Sequence, residues 1–337
     1  MKRIYICSAT IVFLLSSLSF LHAADYCQFF CKLDGVYEPS GAVSLPDGRV
    51  LVIEDEAEWP ISVLKSNSVG SKFSVERVSF STFTGSAGTK LNDLEGVVIG
   101  PAGGIYAITS HSRDSRGKRS KSREKIIRST LENNRLSKPI VRRDLRQSLV
   151  AEFPILKYAA KERILGTGNA LSIEGLSFDS HGHNLWLGFR EPVVDGKSVI
   201  ISISNPVSAL ENNEPFVFNK KPILLDLDRG GIRDIVYDHY LDGYLIVTQR
   251  EGTKKEKRFK LWFWSGNEKT DPIRIKIAGV DNLKRTEGIT TSMVNGQKKL
   301  LLLSDDGDRR KRIPANYLMV NYNLLQSDSG RIVETRN

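Results

Sequence analysis

The sequence predicts an all-β protein, a β-propeller of four-stranded blades, and three observations lead there. A short opening motif recurs five times, at Ser40-Gly41, Glu95-Gly96, Glu174-Gly175, Arg233-Asp234 and Glu287-Gly288. Each copy leads into a hairpin-like apolar stretch that ends in polar residues about 14 to 17 positions later, at Glu54-Asp55, Ser110-His111, Arg190-Glu191, Gln249-Arg250 and Ser304-Asp305. Further strand-like runs follow the hairpins. A strand–turn–strand unit recurring at this period is the mark of a radial β architecture. A β-sandwich is the competing fold, but it gives no reason for the repeated motif.

The chain opens with Lys2 and Arg3, an apolar run of 18 residues from Ile4 to Leu21, and the small pair Ala23-Ala24. This is the layout of a secretory signal peptide over residues 1–23, with an uncleaved anchor as the alternative. No later segment is apolar for long enough to span a bilayer. The expected mature chain, 24–337, is one soluble, monomeric propeller domain in the periplasm or outside the cell. Its net charge falls from +10 to +8, because residues 1–23 hold two basic and no acidic side chains. A basic balance suits an anionic small molecule or a polyanion. Nucleic acid is not expected: the chain is read as exported, and no basic strand is interleaved with aromatics for base stacking. Cys27 and Cys31 remain after cleavage. A bridge between them requires a turn or helix, because residues four apart in a strand are about 13 Å apart.

The blades follow in order. The first copy has Ala42–Leu45, the turn Pro46-Asp47-Gly48, then Val50–Ile53. The second has Val97–Ile99, a Gly/Pro turn over 100–104, then Ile105–Thr109. Pro and Gly supply turn conformations that strands resist. The third has Leu176–Phe178 and Leu185–Phe189, followed by Ser198–Ile203. The fourth has Ile235–Tyr237 and Tyr244–Val247, then Phe259–Trp264 and Ile273–Ile277, with Trp262 and Trp264 read as packing between blades. The fifth has Ile289–Thr291 and Leu300–Leu303, then Asn316–Val320 and a weak tail. Spacings between copies are 55, 79, 59 and 54 residues; the long one holds a helical or irregular insertion near 144–165. Five blades result, with six if the insertion adds strands. The fifth blade lacks a last strand, which the segment 29–36 could supply from the other end of the fold, covering an open edge.

In a propeller the innermost strand starts on one face and the second strand returns to it. The opening motifs and the run ends therefore meet at the channel mouth. Glu95, Glu174 and Glu287 gather there with Glu54, Asp55, His111, Arg190, Glu191, Asp305 and Asp306. Gly after Glu suits a close backbone approach. Three loops on this face are basic, over 113–125, 254–258 and 309–312. Carboxylates hold hard cations such as Ca²⁺, and Arg and Lys bind phosphate oxygens. The expectation is a metal-assisted phosphoester site. Glu95, Glu174 and Glu287 are its catalytic candidates, Glu95, Glu174 and Asp305 its metal ligands, and Arg113, Arg190 and His111 its substrate-binding residues. Basic loops as plain solvated surface, and the Glu residues as acceptors between blades, are the structural alternatives. His181 and His183 read as a polar turn on the opposite face. No nucleophile elbow, zinc-protease helix or phosphate loop is present.

Two stretches, Asn92-Asp93-Leu94-Glu95-Gly96 with Thr109-Ser110-His111-Ser112-Arg113, and Ile173-Glu174-Gly175-Leu176 with Leu187–Pro192, resemble exported bacterial propellers of the phytase-like esterase group and its relatives of unknown function. The resemblance implies the propeller fold and leaves the substrate open. A non-catalytic binding module for a polyanion or protein partner is the alternative. Arg233-Asp234 and Ser40-Gly41 depart from Glu-Gly and make the ring asymmetric.

Overall fold

A computed structural model of the chain describes residues 29–55, 60–67, 72–78, 91–251, 258–328 and 330–331. The expected signal peptide, Cys27 and the lysines of the loop over 254–257 lie outside these residues. Alternating apolar runs broken by Gly, Pro and Asn form antiparallel sheets arranged as five blades. Blade one spans Pro39–Arg77, blade two Leu94–Arg142, blade three Ser172–Leu225 and blade four Gly231–Ile277. Blade five takes three strands from Thr286–Val320, and its fourth is Cys31–Leu33, which pairs antiparallel with Ala315–Tyr317. Cys31 is disulfide-bonded and begins this strand.

The five innermost strands contact one another in sequence and close into a ring, blade five meeting blade one. Each strand has two faces, and each seam between neighbouring blades is filled from both sides. Five separate apolar clusters result, one per seam. Tyr244 and Ile246 face the seam with blade three, for example, while Leu245 and Val247 face the seam with blade five. Trp262 and Trp264 pack between blades three and four, where the Trp262 indole donates to Thr248 Oγ1 at 2.9 Å.

Residues 145–159 of the long interval form two short helices, α1 (Leu145–Glu152) and α2 (Pro154–Ala159). Leu145, Leu149, Phe153, Leu156 and Ala159 join the cluster between blades two and three. The tail also has a place: Leu325–Ser327 and Gly330–Arg331 extend the outer edge of blade four, and so cover it. No helix among the described residues is long and apolar enough to cross a membrane.

Candidate functional site

In every blade the pairing of the first two strands slips by one residue at the opening motif. The residues skipped are Ser40, Glu95, Glu174, Arg233 and Glu287. A bulge of this kind re-aims a side chain and frees it from the ladder. Here it presents five equivalent positions at the start of the five inner strands. Four of the five line one mouth of the central channel, and Ser40 instead donates to the Leu94 carbonyl at 2.6 Å, tying blade one to blade two.

The glycine after the bulge has a separate cause. A Cβ on Gly96 would lie 2.8 Å from the Glu174 carbonyl oxygen, and one on Gly175 would lie 2.8 Å from Ile232 Cγ2. Here the inner strands come closest, and blade four solves the same contact differently. Asp234 replaces the glycine, and its carboxylate accepts from the Ile289 amide of blade five at 2.8 Å and from the Ile235 amide at 2.8 Å. Burial nevertheless pushes the Asp234 carboxyl up to about 8.

The mouth is a cavity of about 770 Å³, lined among the described residues by seven carboxylate side chains and seven arginines. Five of the arginines are committed. Arg233 Nη1 lies 2.6 Å from Glu174 Oε2, and its Nη2 contacts Glu287. Arg190 joins Glu174 (3.2 Å) to Glu251 (3.1 Å). Arg123 pairs with Asp93 at 2.8 Å and Arg285 with Asp305 at 2.6 Å. Arg113 donates to the carbonyls of Gly117 and Ala160, both at 3.1 Å. Burial alone would lower the Arg233 guanidinium, but the carboxylates of Glu174, Glu287 and Glu95 more than reverse this and hold it charged. Arg116 and Arg163, both exposed, have no ion pair among the described residues, so their donors remain open to a ligand. The insertion thus supplies part of the rim, through Arg163, Ile164 and Leu165.

Glu95 stands apart from the other ring carboxylates. It is 8% exposed and has no hydrogen bond or ion pair among the described residues. Asp55, Asp93 and Glu95 each offer an oxygen, and these lie within 4.8 Å of one another. Burial, followed by the charges of Glu174, Asp55 and Asp93, pushes the Glu95 carboxyl well above the ordinary range, with Arg233 opposing. Burial also raises Asp93, against Arg123, a hydrogen bond from Ser110 and one shared with Asp55. Two carboxyl groups that share a hydrogen bond hold one proton between them, or exchange it for a cation.

The sequence-derived residues fall into three groups. Glu95, Glu174, Glu287, Asp305, Arg113 and Arg190 all line the mouth. Of the expected metal set only Glu95 belongs to the compact carboxylate group; Glu174 and Asp305 are neutralised by arginines. Asp93, two residues before Glu95 and just ahead of the strand, takes their place, with Asp55 at the first run end. Likewise Arg113 and Arg190 are spent on internal partners, which leaves Arg116 and Arg163. His111 does not line the cavity. It is fully buried at φ 56°, and its Nδ1 donates to the Thr109 carbonyl at 2.7 Å. Glu54 is fully buried as well, tied to Arg77 (3.0 Å), Arg309 (3.0 Å) and the Tyr37 amide (2.8 Å). Glu191 accepts from the amides of Gly166 and Ala170 and so anchors the end of the insertion. His181 and His183 lie in an exposed turn of blade three, and His181 borders the opposite mouth.

A family model described as "Protein of unknown function (DUF3616)" matches residues 105–320, from the second strand of blade two to the third strand of blade five. The chain belongs to the DUF3616 family. The matched segment includes Glu174, Arg233 and Glu287, while Asp55, Asp93 and Glu95 precede it. No curated protein matches the sequence. This DUF3616 propeller is similar in fold to several solved structures at low identity. The PQQ-bound aldose sugar dehydrogenase of Streptomyces coelicolor aligns at 14% identity and TM-score 0.44, covering 86% of this chain and 96% of that one. An exo-1,5-α-L-arabinanase from a bovine ruminal metagenomic library aligns at 12% and 0.41, covering 90% and 97%. A β-1,3-galactosidase aligns at 8% and 0.47, covering 89% and 96%.

Proposed function

We propose that the channel mouth is a divalent-cation centre that hydrolyses a phosphoester. The observation that carries this reading is Glu95, a buried carboxylate with no partner of its own, grouped with Asp55 and Asp93. A buried charge without a counter-ion is costly, and three carboxylates this close suit a hard cation such as Ca²⁺. Among the described residues the lining is balanced at seven acidic and seven basic groups. A divalent cation would leave it two charges positive, the complement of a phosphomonoester dianion. A bound cation would supply Lewis-acid polarisation of a phosphoryl oxygen and a more acidic water. The chain would do the rest. Asp55, Asp93 and Glu95 would hold the ion, and Arg123 and Ser110 would fix the orientation of Asp93. Arg116 and Arg163 would take the remaining phosphate oxygens as charge-assisted donors. Export to the periplasm or beyond belongs to the same proposal and rests on the leader-like residues 1–23; N-terminal sequencing of the mature protein checks it.

The pairing of Glu174, Glu287 and Asp305 with arginines favours a second reading, a non-catalytic module that binds an anion at the same mouth. One experiment separates the two. Hydrolysis of p-nitrophenyl phosphate is followed with Ca²⁺ and with chelator, beside thermal shifts in Ca²⁺ and inorganic phosphate, for the native chain and Glu95→Gln. Turnover that needs both Ca²⁺ and Glu95 supports the hydrolase. Phosphate binding without turnover supports the module. Neither binding nor turnover sinks both readings.

A further inference from the structure

Arg233 occupies in blade four the bulge position that holds glutamate in blades two, three and five. Its guanidinium, 6% exposed on its side chain, lies between Glu174 of blade three and Glu287 of blade five. Without Arg233, the channel mouth would present two facing, buried carboxylates. Ser172 Oγ would lie 3.3 Å from one of the Glu174 oxygens, and the nearby cations among the described residues would be Arg190, already shared between Glu174 and Glu251, and Arg285, already paired with Asp305. Such a pair cannot stay charged in a buried site without a positive partner. Two kinds of partner satisfy it: a guanidinium fork, which is permanent, or a divalent cation with its waters, which exchanges.

We infer that Arg233 is a built-in substitute for a second divalent cation, and that it confines the exchangeable ion to the Asp55–Asp93–Glu95 side of the mouth. The change from Glu-Gly to Arg-Asp accomplishes two things. Arg233 fills the gap between blades three and five with fixed charge, and Asp234 fastens the same strand to blade five through the Ile289 amide. The single-ion stoichiometry of the native chain rests on the proposed function above, whereas the role of Arg233 does not.

Replacing Arg233 by Ser should open a Ca²⁺ site between Glu174 and Glu287. Equilibrium dialysis with radioactive Ca²⁺ counts the ions on the native chain, Arg233→Ser and Arg233→Lys. The expected result is about one more ion per chain for Arg233→Ser than for the native protein. Arg233→Lys should keep the native count, because it keeps the charge. If Arg233→Ser is unfolded without Ca²⁺ and folds when Ca²⁺ is added, as judged by circular dichroism, the substitution of ion for guanidinium is equally supported. The inference is overturned if Arg233→Ser keeps the native count, if it stays unfolded at every Ca²⁺ concentration, or if Arg233→Lys gains the ion too. A native count of zero with one ion on Arg233→Ser would overturn the Asp55–Asp93–Glu95 centre and the confinement of an ion to it, and would support only the exchange of guanidinium for cation at Arg233.

Discussion

Acidifying this protein should cost it stability through His111, and the size of the loss can be worked from its surroundings. The imidazole is enclosed, with Nδ1 donating to the Thr109 carbonyl. Nε2 is buried without a hydrogen-bond partner. The charged groups that face it are Glu124, which favours the protonated ring, and Arg146 of α1, which opposes it. Burial outweighs both and lowers the histidine from 6.5 to about 4. Between these values the unfolded chain binds a proton that the folded chain refuses. Stability is therefore fully present above about pH 6.5, falls as the pH drops through the window, and levels off below about 4. The gap of about 2.5 pH units corresponds to about 3.4 kcal/mol, or about 1.4 kcal/mol per pH unit. The comparison variant is His111→Asn, because asparagine tolerates the left-handed backbone at φ 56°. Urea unfolding of both proteins at pH 7, 6, 5 and 4 gives the test. Carboxylates that titrate in the same range are common to both and cancel in the difference. The native protein should lose the extra stability and His111→Asn should not. Parallel losses in the two proteins would refute the assignment of His111 as a neutral, buried, structural histidine.

Three further outcomes follow from other parts of the fold. Gly96→Ala places a Cβ 2.8 Å from both the Glu174 carbonyl oxygen and Leu176 Cβ, so overpacking at the seam of blades two and three should cost about 1–3 kcal/mol in urea unfolding; a neutral result would mean the strands can separate there. Glu54→Gln removes the carboxylate shared by Arg77 and Arg309, and should destabilise by about 3 kcal/mol while leaving Ca²⁺ binding intact, as calorimetry would reveal. Leu149→Ala, on the buried face of α1, should cost about 2–5 kcal/mol; a loss below about 0.5 kcal/mol, typical of a surface position, would mean the insertion is not part of the core.

Much of the fold was legible because a propeller repeats its hydrogen-bonding problem five times. The Glu-Gly motif marks the bulge and the close approach, and Pro46-Asp47-Gly48 marks the hairpin turn. The closing strand could be expected from the missing fourth strand of blade five. The site was legible only as a face. Sequence spacing brings Glu174, Asp305, Arg113 and Arg190 to the mouth, but it carries no information on which charges cancel. That depends on side-chain reach across blades, as when Arg233 spans from blade three to blade five. Asp93 is not marked by the repeat, because it precedes the Glu-Gly motif in the Asn92-Asp93-Leu94 stretch. His111 follows the run end at this face yet turns inward, since its left-handed backbone conformation is not visible in the sequence. Arg116 and Arg163 stand out only once the committed arginines have been set aside.

The strand Cys31–Leu33 carries a consequence for how the protein comes into being. It joins blade five by pairing with Ala315–Tyr317, and Lys32 reaches the Pro314 carbonyl across 282 residues of sequence. Contacts of such separation form late, because loop closure must be overcome before they contribute. On the ribosome Cys31–Leu33 emerges long before its partner strand in blade five and must wait for that strand to be synthesised. Until then the ring is an open horseshoe whose final strand has a bare edge, the state most exposed to aggregation. Completion of the circle thus waits on the third strand of blade five, and the rate of that single docking step sets how long the open edge remains vulnerable.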